Sequence, residues 1–214
     1  MKHIVLLGDS IFDNAPYVAA GSDVLTQLRK LLGGGDHASL LARDGDVLAD
    51  MAGQLARLAQ LDSAPDWLLV SCGGNDVLGL VGEMQRAVRS VLEGCELLAG
   101  WQAAFQRDYS RMLELVLAQG KLTVVATIYD SVPGLAPGLR TALAVFNDVI
   151  VREATRRRLP VLDLRLVCSN AADYAAVSPI EPSALGAAKI AAAIAALLAH
   201  HDPHAPHTVV YAAA

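Results

Sequence analysis

The sequence predicts an α/β fold, a three-layer αβα sandwich with a parallel sheet between two helical layers. Two observations carry this. Short apolar runs recur near 3–7, 38–42, 67–72, 121–127 and 160–164, and helical patterns fill the gaps near 17–32, 47–60, 100–119, 139–157 and 183–199. Regular alternation of strand and helix points to parallel strands with right-handed crossovers. Neither an internal repeat nor a linker divides the chain, so residues 1–199 read as one domain and 200–214 as a tail.

The elements follow in order. Ile4-Val5-Leu6-Leu7 is a buried strand that ends in Gly8-Asp9-Ser10, delivering a serine to the carboxyl edge of the sheet, where ligands bind in open α/β folds. The second run leads into Ala42-Arg43-Asp44-Gly45-Asp46-Val47, with Asp46 placed to cap the helix at 47–60. The third run ends in Gly73-Gly74-Asn75-Asp76. The segment 77–99 has mixed signals and reads as an irregular, lid-like insertion with a short helix. Asp130 follows the fourth run and Asp163 ends the fifth; each suits either a site contact or a cap. Arg156-Arg157-Arg158 reads as a solvated helix end, where cations favour the dipole. Asn147, within the helix at 139–157, has no evident role. The tail holds four of the six histidines and two prolines without periodicity, so it reads as extended or mobile, a solvated tail before a metal site.

Bulk properties exclude several classes. At 214 residues the chain can build a real core, and its net charge of −5 argues against a nucleic-acid surface. No apolar stretch is long enough for a membrane span, and the first strand starts too early for a signal peptide. Cys72, Cys95 and Cys168 are odd in number and widely spaced, which suits a reducing cytoplasm. Cys72 reads as a small buried residue before a redox-sensitive thiol. There is no Gly-x-Ser-x-Gly elbow, dinucleotide fingerprint or P-loop.

Taken singly, each motif has two readings. Ser10 is a nucleophile or a helix cap, Gly45 an oxyanion donor or a loop glycine, and Gly73-Gly74-Asn75 a donor platform or a plain turn. Three successive strand ends carrying Ser, Gly and Gly-Gly-Asn are more specific together. The set resembles the first three blocks of the SGNH, or GDSL, hydrolases, over residues 3 to about 199. That resemblance implies a five-stranded parallel sheet of order 2-1-3-4-5, with Ser10 as nucleophile. It implies an oxyanion hole of the Ser10 N–H, the Gly45 N–H and the Asn75 side chain. It also implies a small ester or acylated substrate, and neither metal nor organic cofactor. Oligomeric state is left open.

The fourth block departs from that family. Where it carries Asp-x-x-His, this chain has Ser178-Pro179-Ile180-Glu181, within a frame kept by Pro182, Ser183 and Gly186. Glu181 thus occupies the place of the histidine base. It is a base, a stabiliser in the first turn of the helix that Pro182 would open, or a substrate contact. The sequence therefore supports an esterase of non-standard Ser10–Glu181 pairing. The other reading is a binding module for an acyl or acetylated ligand that has lost turnover. A tail histidine, His204 or His207, reaches Ser10 only if the tail folds back.

Overall fold

The computed structural model describes residues 1–212. Its main sheet has six parallel strands in the order β2-β1-β3-β4-β5-β8. They are β1 (His3–Gly8), β2 (His37–Leu40), β3 (Trp67–Ser71), β4 (Leu122–Ala126), β5 (Val161–Leu162) and β8 (Val210–Tyr211). The first five keep the expected 2-1-3-4-5 order. The sixth corrects the expected five strands and the free tail. Val161 pairs with Val210 and Leu162 with Tyr211, so the tail adds a strand to the edge of the sheet.

Alternation explains how continuous apolar runs serve two helical layers. In β1, Ile4 and Leu6 face one core with α1 (Val24–Leu31) and α8 (Ala184–His200). Val5 and Leu7 face the other, with α2 (Met51–Ala56), α5 (Val91–Leu117) and α6 (Pro137–Arg156). β3 divides the same way, Trp67 and Leu69 against Leu68 and Val70. A strand buried on both faces needs apolar residues throughout, as in other parallel sheets.

Three further expectations change. The segment 77–99 is mostly regular. Short helices α3 (Gly74–Leu78) and α4 (Val81–Met84) precede a 27-residue α5, capped by Ser90, whose hydroxyl accepts from the Glu93 N–H at 3.1 Å. After α7 (Leu164–Val167), the chain forms an antiparallel hairpin of β6 (Tyr174–Ala175) and β7 (Ser178–Pro182). The arginine run is only partly solvated, because Arg156 and Arg157 both pair with the buried Glu153 carboxylate. An unpaired carboxylate at that depth would be costly.

Gly8 fixes how β1 ends. Its φ is +126°, and a Cβ there would lie 1.7 Å from the Ser71 carbonyl oxygen on β3. Gly8→Ala is expected to destabilise the fold by about 3 kcal/mol or more. Gly82→Ala, in α4 with nothing within 4 Å, should be neutral or stabilise by up to about 1 kcal/mol. Urea midpoints of the two variants check this pair of outcomes.

Candidate active site

Ser10 follows β1 directly and is 7% exposed. Its loop is held by the neighbouring aspartates. Asp9 Oδ1 accepts from the Ile11 N–H at 3.1 Å, and Asp13 Oδ2 accepts from the Asp44 N–H at 3.0 Å. The second contact ties the Ser10 loop to the loop that carries Gly45. Among the described residues, neither the Ser10 N–H nor the Gly45 N–H donates to another group. Both backbone donors are thus without a protein partner at this sheet edge. Asn75 donates from Nδ2 to the Asp46 carbonyl at 2.9 Å, which orients the amide and occupies one of its two protons.

These strand ends are joined by a residue that sequence reading passed over. Gln54 is 2% exposed. Its Oε1 accepts from the Gly8 N–H at 2.8 Å, and its Nε2 donates to the Gly8 carbonyl at 2.7 Å and to Asp46 Oδ2 at 2.8 Å. Asp46 therefore does not cap the helix; it receives Gln54. Asp76 completes the bracing by accepting from the Leu48 N–H at 3.1 Å.

Asn147 repeats this device on the other side of the site. Its amide accepts from the Ile128 N–H and donates to the Ile128 carbonyl, both at 2.8 Å, fixing the chain as it leaves β4. Asp163 stays out of the site. It accepts from the Thr127 hydroxyl at 2.9 Å and pairs with Arg165 at 2.6 Å. Burial alone would raise its carboxyl, but Arg165 and Thr127 outweigh burial and hold it low. Asp130 lies half-buried beyond β4.

Glu181 comes to Ser10 from β7, not from a helix. Pro182 also belongs to β7, and Ser183 is the cap of α8, accepting from the Gly186 N–H at 3.1 Å. The reading of Glu181 as a first-turn stabiliser is corrected accordingly. Gly186 is required where it stands, since a Cβ would meet the Asp173 carbonyl oxygen at 2.1 Å. Residue 181 is held from both sides. Asn14 Nδ2 donates to the Pro182 carbonyl at 3.1 Å, and the Tyr129 hydroxyl donates to the Ile180 carbonyl.

Glu181 is 4% exposed, and its carboxyl Oε2 has no hydrogen-bond partner among the described residues. Burial raises its pKa, and the Asp44 charge adds to the rise. The nearby hydroxyls of Ser178 and Ser10 oppose the rise. Asp44 also accepts from the Tyr17 hydroxyl at 2.6 Å, which pushes that phenol up to about 12. The rim beside Glu181 is thus polar and acidic. Beside Ser10 lies an apolar cavity of about 100 Å³, which reaches from Ser10 and Asn75 to Leu143.

Histidines stay away from Ser10. His3 and His37 stack at 4.1 Å at the amino edge of the sheet. His201 meets the Trp67 and Tyr211 rings, and His204 lines a hollow with Trp67, Lys121 and Leu122, also at that edge. His200 ends α8, and 17 residues at about 1.5 Å each separate it from the start of that helix. Cys72 is buried, and burial pushes its thiol well above the usual range, so it is no thiolate. Among the described residues, no three His, Cys, Asp or Glu side chains are grouped to hold a metal ion. No helix there is long and apolar enough to cross a membrane.

Burial also perturbs the Asp9 and Asp76 carboxyls, raising both. For Asp9, burial is the main cause that raises it from 3.8 to about 7. The folded protein therefore binds this proton more tightly than the unfolded chain does. Stability from this group is present below about pH 4 and is lost as pH rises through about 7, by on the order of a few kcal/mol. Asp9→Asn should stabilise the protein at pH 8, with the gain fading toward pH 4. Thermal midpoints across that range check the sign.

Comparison with known proteins adds the following. Residues 6–189 match the model of the GDSL-like Lipase/Acylhydrolase family. No curated protein matches the sequence. Among solved structures, a lipolytic G-D-S-L family protein from Veillonella parvula aligns with a TM-score of 0.69 at 14% identity, covering 94% of this chain and 98% of its own. A lipase from a goat rumen metagenome aligns at 0.69 and 17% identity, with the same coverage. An acetyl xylan esterase from Geobacillus stearothermophilus aligns at 0.64 and 17%, covering 90% of this chain and 92% of its own. At these identities the structural likeness speaks for the fold.

Proposed function

The chain belongs to the GDSL-like lipase/acylhydrolase family, and on that footing we propose that it hydrolyses a small ester through a Ser10 acyl-enzyme with Glu181 as base. The observation that carries this reading is the buried Glu181 carboxyl, whose Oε2 has no hydrogen-bond partner among the described residues, on a backbone fixed at Ile180 and Pro182.

The steps balance without another base. Ser10 Oγ attacks the carbonyl carbon as its proton passes to the Glu181 carboxylate. The carbonyl electron pair moves to oxygen, where the Ser10 N–H, the Gly45 N–H and the free Asn75 Nδ2 proton receive it. Collapse expels the leaving group, which takes the proton from Glu181. Water then repeats the sequence on the acyl-enzyme. The upward shift of Glu181 makes it a better base than an ordinary glutamate, though weaker than imidazole. Attack is therefore the demanding step, and aryl esters should turn over faster than alkyl esters.

An organophosphonate serine probe tests the proposal. The wild type should be labelled at Ser10 and Ser10→Ala should not. The labelling rate should fall as pH drops through the raised Glu181 pKa, because the protonated acid cannot accept a proton. Glu181→Gln should be slow and flat with pH, while Asp9→Asn keeps the limb. A wild type that stays unlabelled in excess probe would refute the hydrolase reading. It would favour the ligand-binding module, a reading that the absence of histidine beside Ser10 supports.

A second outcome follows from the frame of the fourth block. Ser178 lies beside the Glu181 carboxyl, so an aspartate there can orient a histidine at 181. Ser178→Asp with Glu181→His should raise kcat/KM on aryl acetates by about tenfold or more, since well-placed acid–base groups contribute about 10²–10⁴. Glu181→His alone should gain less. A folded double variant with no gain would mean that position 181 does not serve Ser10.

A further inference from the structure

The apolar cavity beside Ser10 does not include Glu181. Its residues are Ser10, Asn75 and Asp9 at the sheet edge, Ile180 next to Glu181, and apolar side chains beyond. One wall is Val77, Val81 and Met84, from α3 and α4; the facing wall is Ile128, Leu139 and Leu143, from the β4 exit and α6. This division gives the substrate a direction. If Ser10 is the nucleophile, the leaving group must meet the proton on Glu181, on the acidic rim with Asp44 and Tyr17. The acyl half is then left for the apolar side.

Size and a shared wall set its length. A cavity of about 150 Å³ takes a benzene ring, so about 100 Å³ takes about four carbons beyond the carbonyl. Met84 and Leu139 line the cavity. The same two side chains also line a separate groove of about 460 Å³, whose other side carries Leu97, Leu98 and Trp101 of α5. They therefore stand between the cavity and a neighbouring apolar groove.

We propose that this cavity is an acyl subsite for straight aliphatic chains of about four to six carbons, and that Met84 and Leu139 are the residues that end it. The proposal rests on Ser10 as the acylated residue, and it deepens the reading above by naming the acyl class. Burying a methylene is worth about fourfold in affinity. Butanoyl esters should therefore exceed acetyl esters by about fifteenfold in kcat/KM, with a sharp fall beyond hexanoyl. Met84→Ala should move the optimum to longer chains by joining the cavity to the groove. Leu139→Phe should move it toward acetyl.

The experiment is a chain-length series of p-nitrophenyl alkylphosphonates, from methyl to dodecyl, scored by the rate of Ser10 labelling in wild type, Met84→Ala and Leu139→Phe. A rate independent of chain length with Ser10 still labelled would overturn the acyl subsite and leave the nucleophile standing. A wild-type optimum that neither variant moves would overturn the role of the two side chains. Equilibrium binding of straight-chain methyl ketones to Ser10→Ala, read by calorimetry, separates the two proposals. Chain-length selection there, without labelling of the wild type, would keep the cavity and refute the hydrolase. No selection in either measurement would refute the subsite.

Discussion

The site depends first on a buried amide. Gln54 sits inside the helical layer and satisfies both the N–H and the carbonyl of Gly8 while holding Asp46. The Gly8 carbonyl also accepts from the Arg43 N–H at 3.1 Å, so the amide serves above all the N–H, a buried backbone group that would be costly unpaired. Any polar side chain able to donate and accept in one plane would answer that need, and an amide does it with one group. The same act aligns the serine loop with the glycine loop. Stability and site geometry are therefore one requirement at this position, and neither can be relaxed alone.

Asn147 and Asn14 extend the principle. Asn147 holds Ile128, which walls the cavity, and Asn14 holds Pro182, next to Glu181. Asn14 also accepts from the Val24 N–H at 2.9 Å, so it links the serine loop, α1 and the fourth block. Three buried amides thus fix three chain segments around one serine. The carboxyls can be left incompletely solvated because the backbone beneath them cannot shift to relieve them. This is why Asp9 and Glu181 are both raised while Asp163, with an arginine beside it, is held low. Raised carboxyls of this kind cluster where chemistry is done.

Much of this was legible in the sequence, for identifiable reasons. Two-sided strands such as Ile4–Leu7 and Leu68–Val70 announce themselves as continuous apolar runs, and Gly, Asn and Asp after them mark the functional edge. The bracing amides were not legible. Gln54 and Asn147 lie in helices, where such residues commonly face solvent, and only the packing of those helices turns them inward. The hairpin that carries Glu181 was missed because its strands are short and include prolines, which suggested the first turn of the next helix. β8 was missed because two residues paired to an edge leave no pattern in sequence. The start of α5 was set too late, because Gly94 and Gly100 weaken a helical pattern that a long partner helix supports.

The strand order also has a consequence for how the site comes into being. β1 carries the serine and lies in the interior of the sheet, and β3, β4, β5 and β8 are laid down beside it one after another, each against its predecessor. Domains assemble while the chain is still emerging from the ribosome. The serine, the glycine loop and the asparagine can therefore dock early, whereas Glu181 arrives only with the hairpin that follows β5. A half-made chain would present Ser10 with the glycine and asparagine loops and lack the Glu181 carboxyl, so the raised carboxyl is the last of these groups to reach the sheet edge.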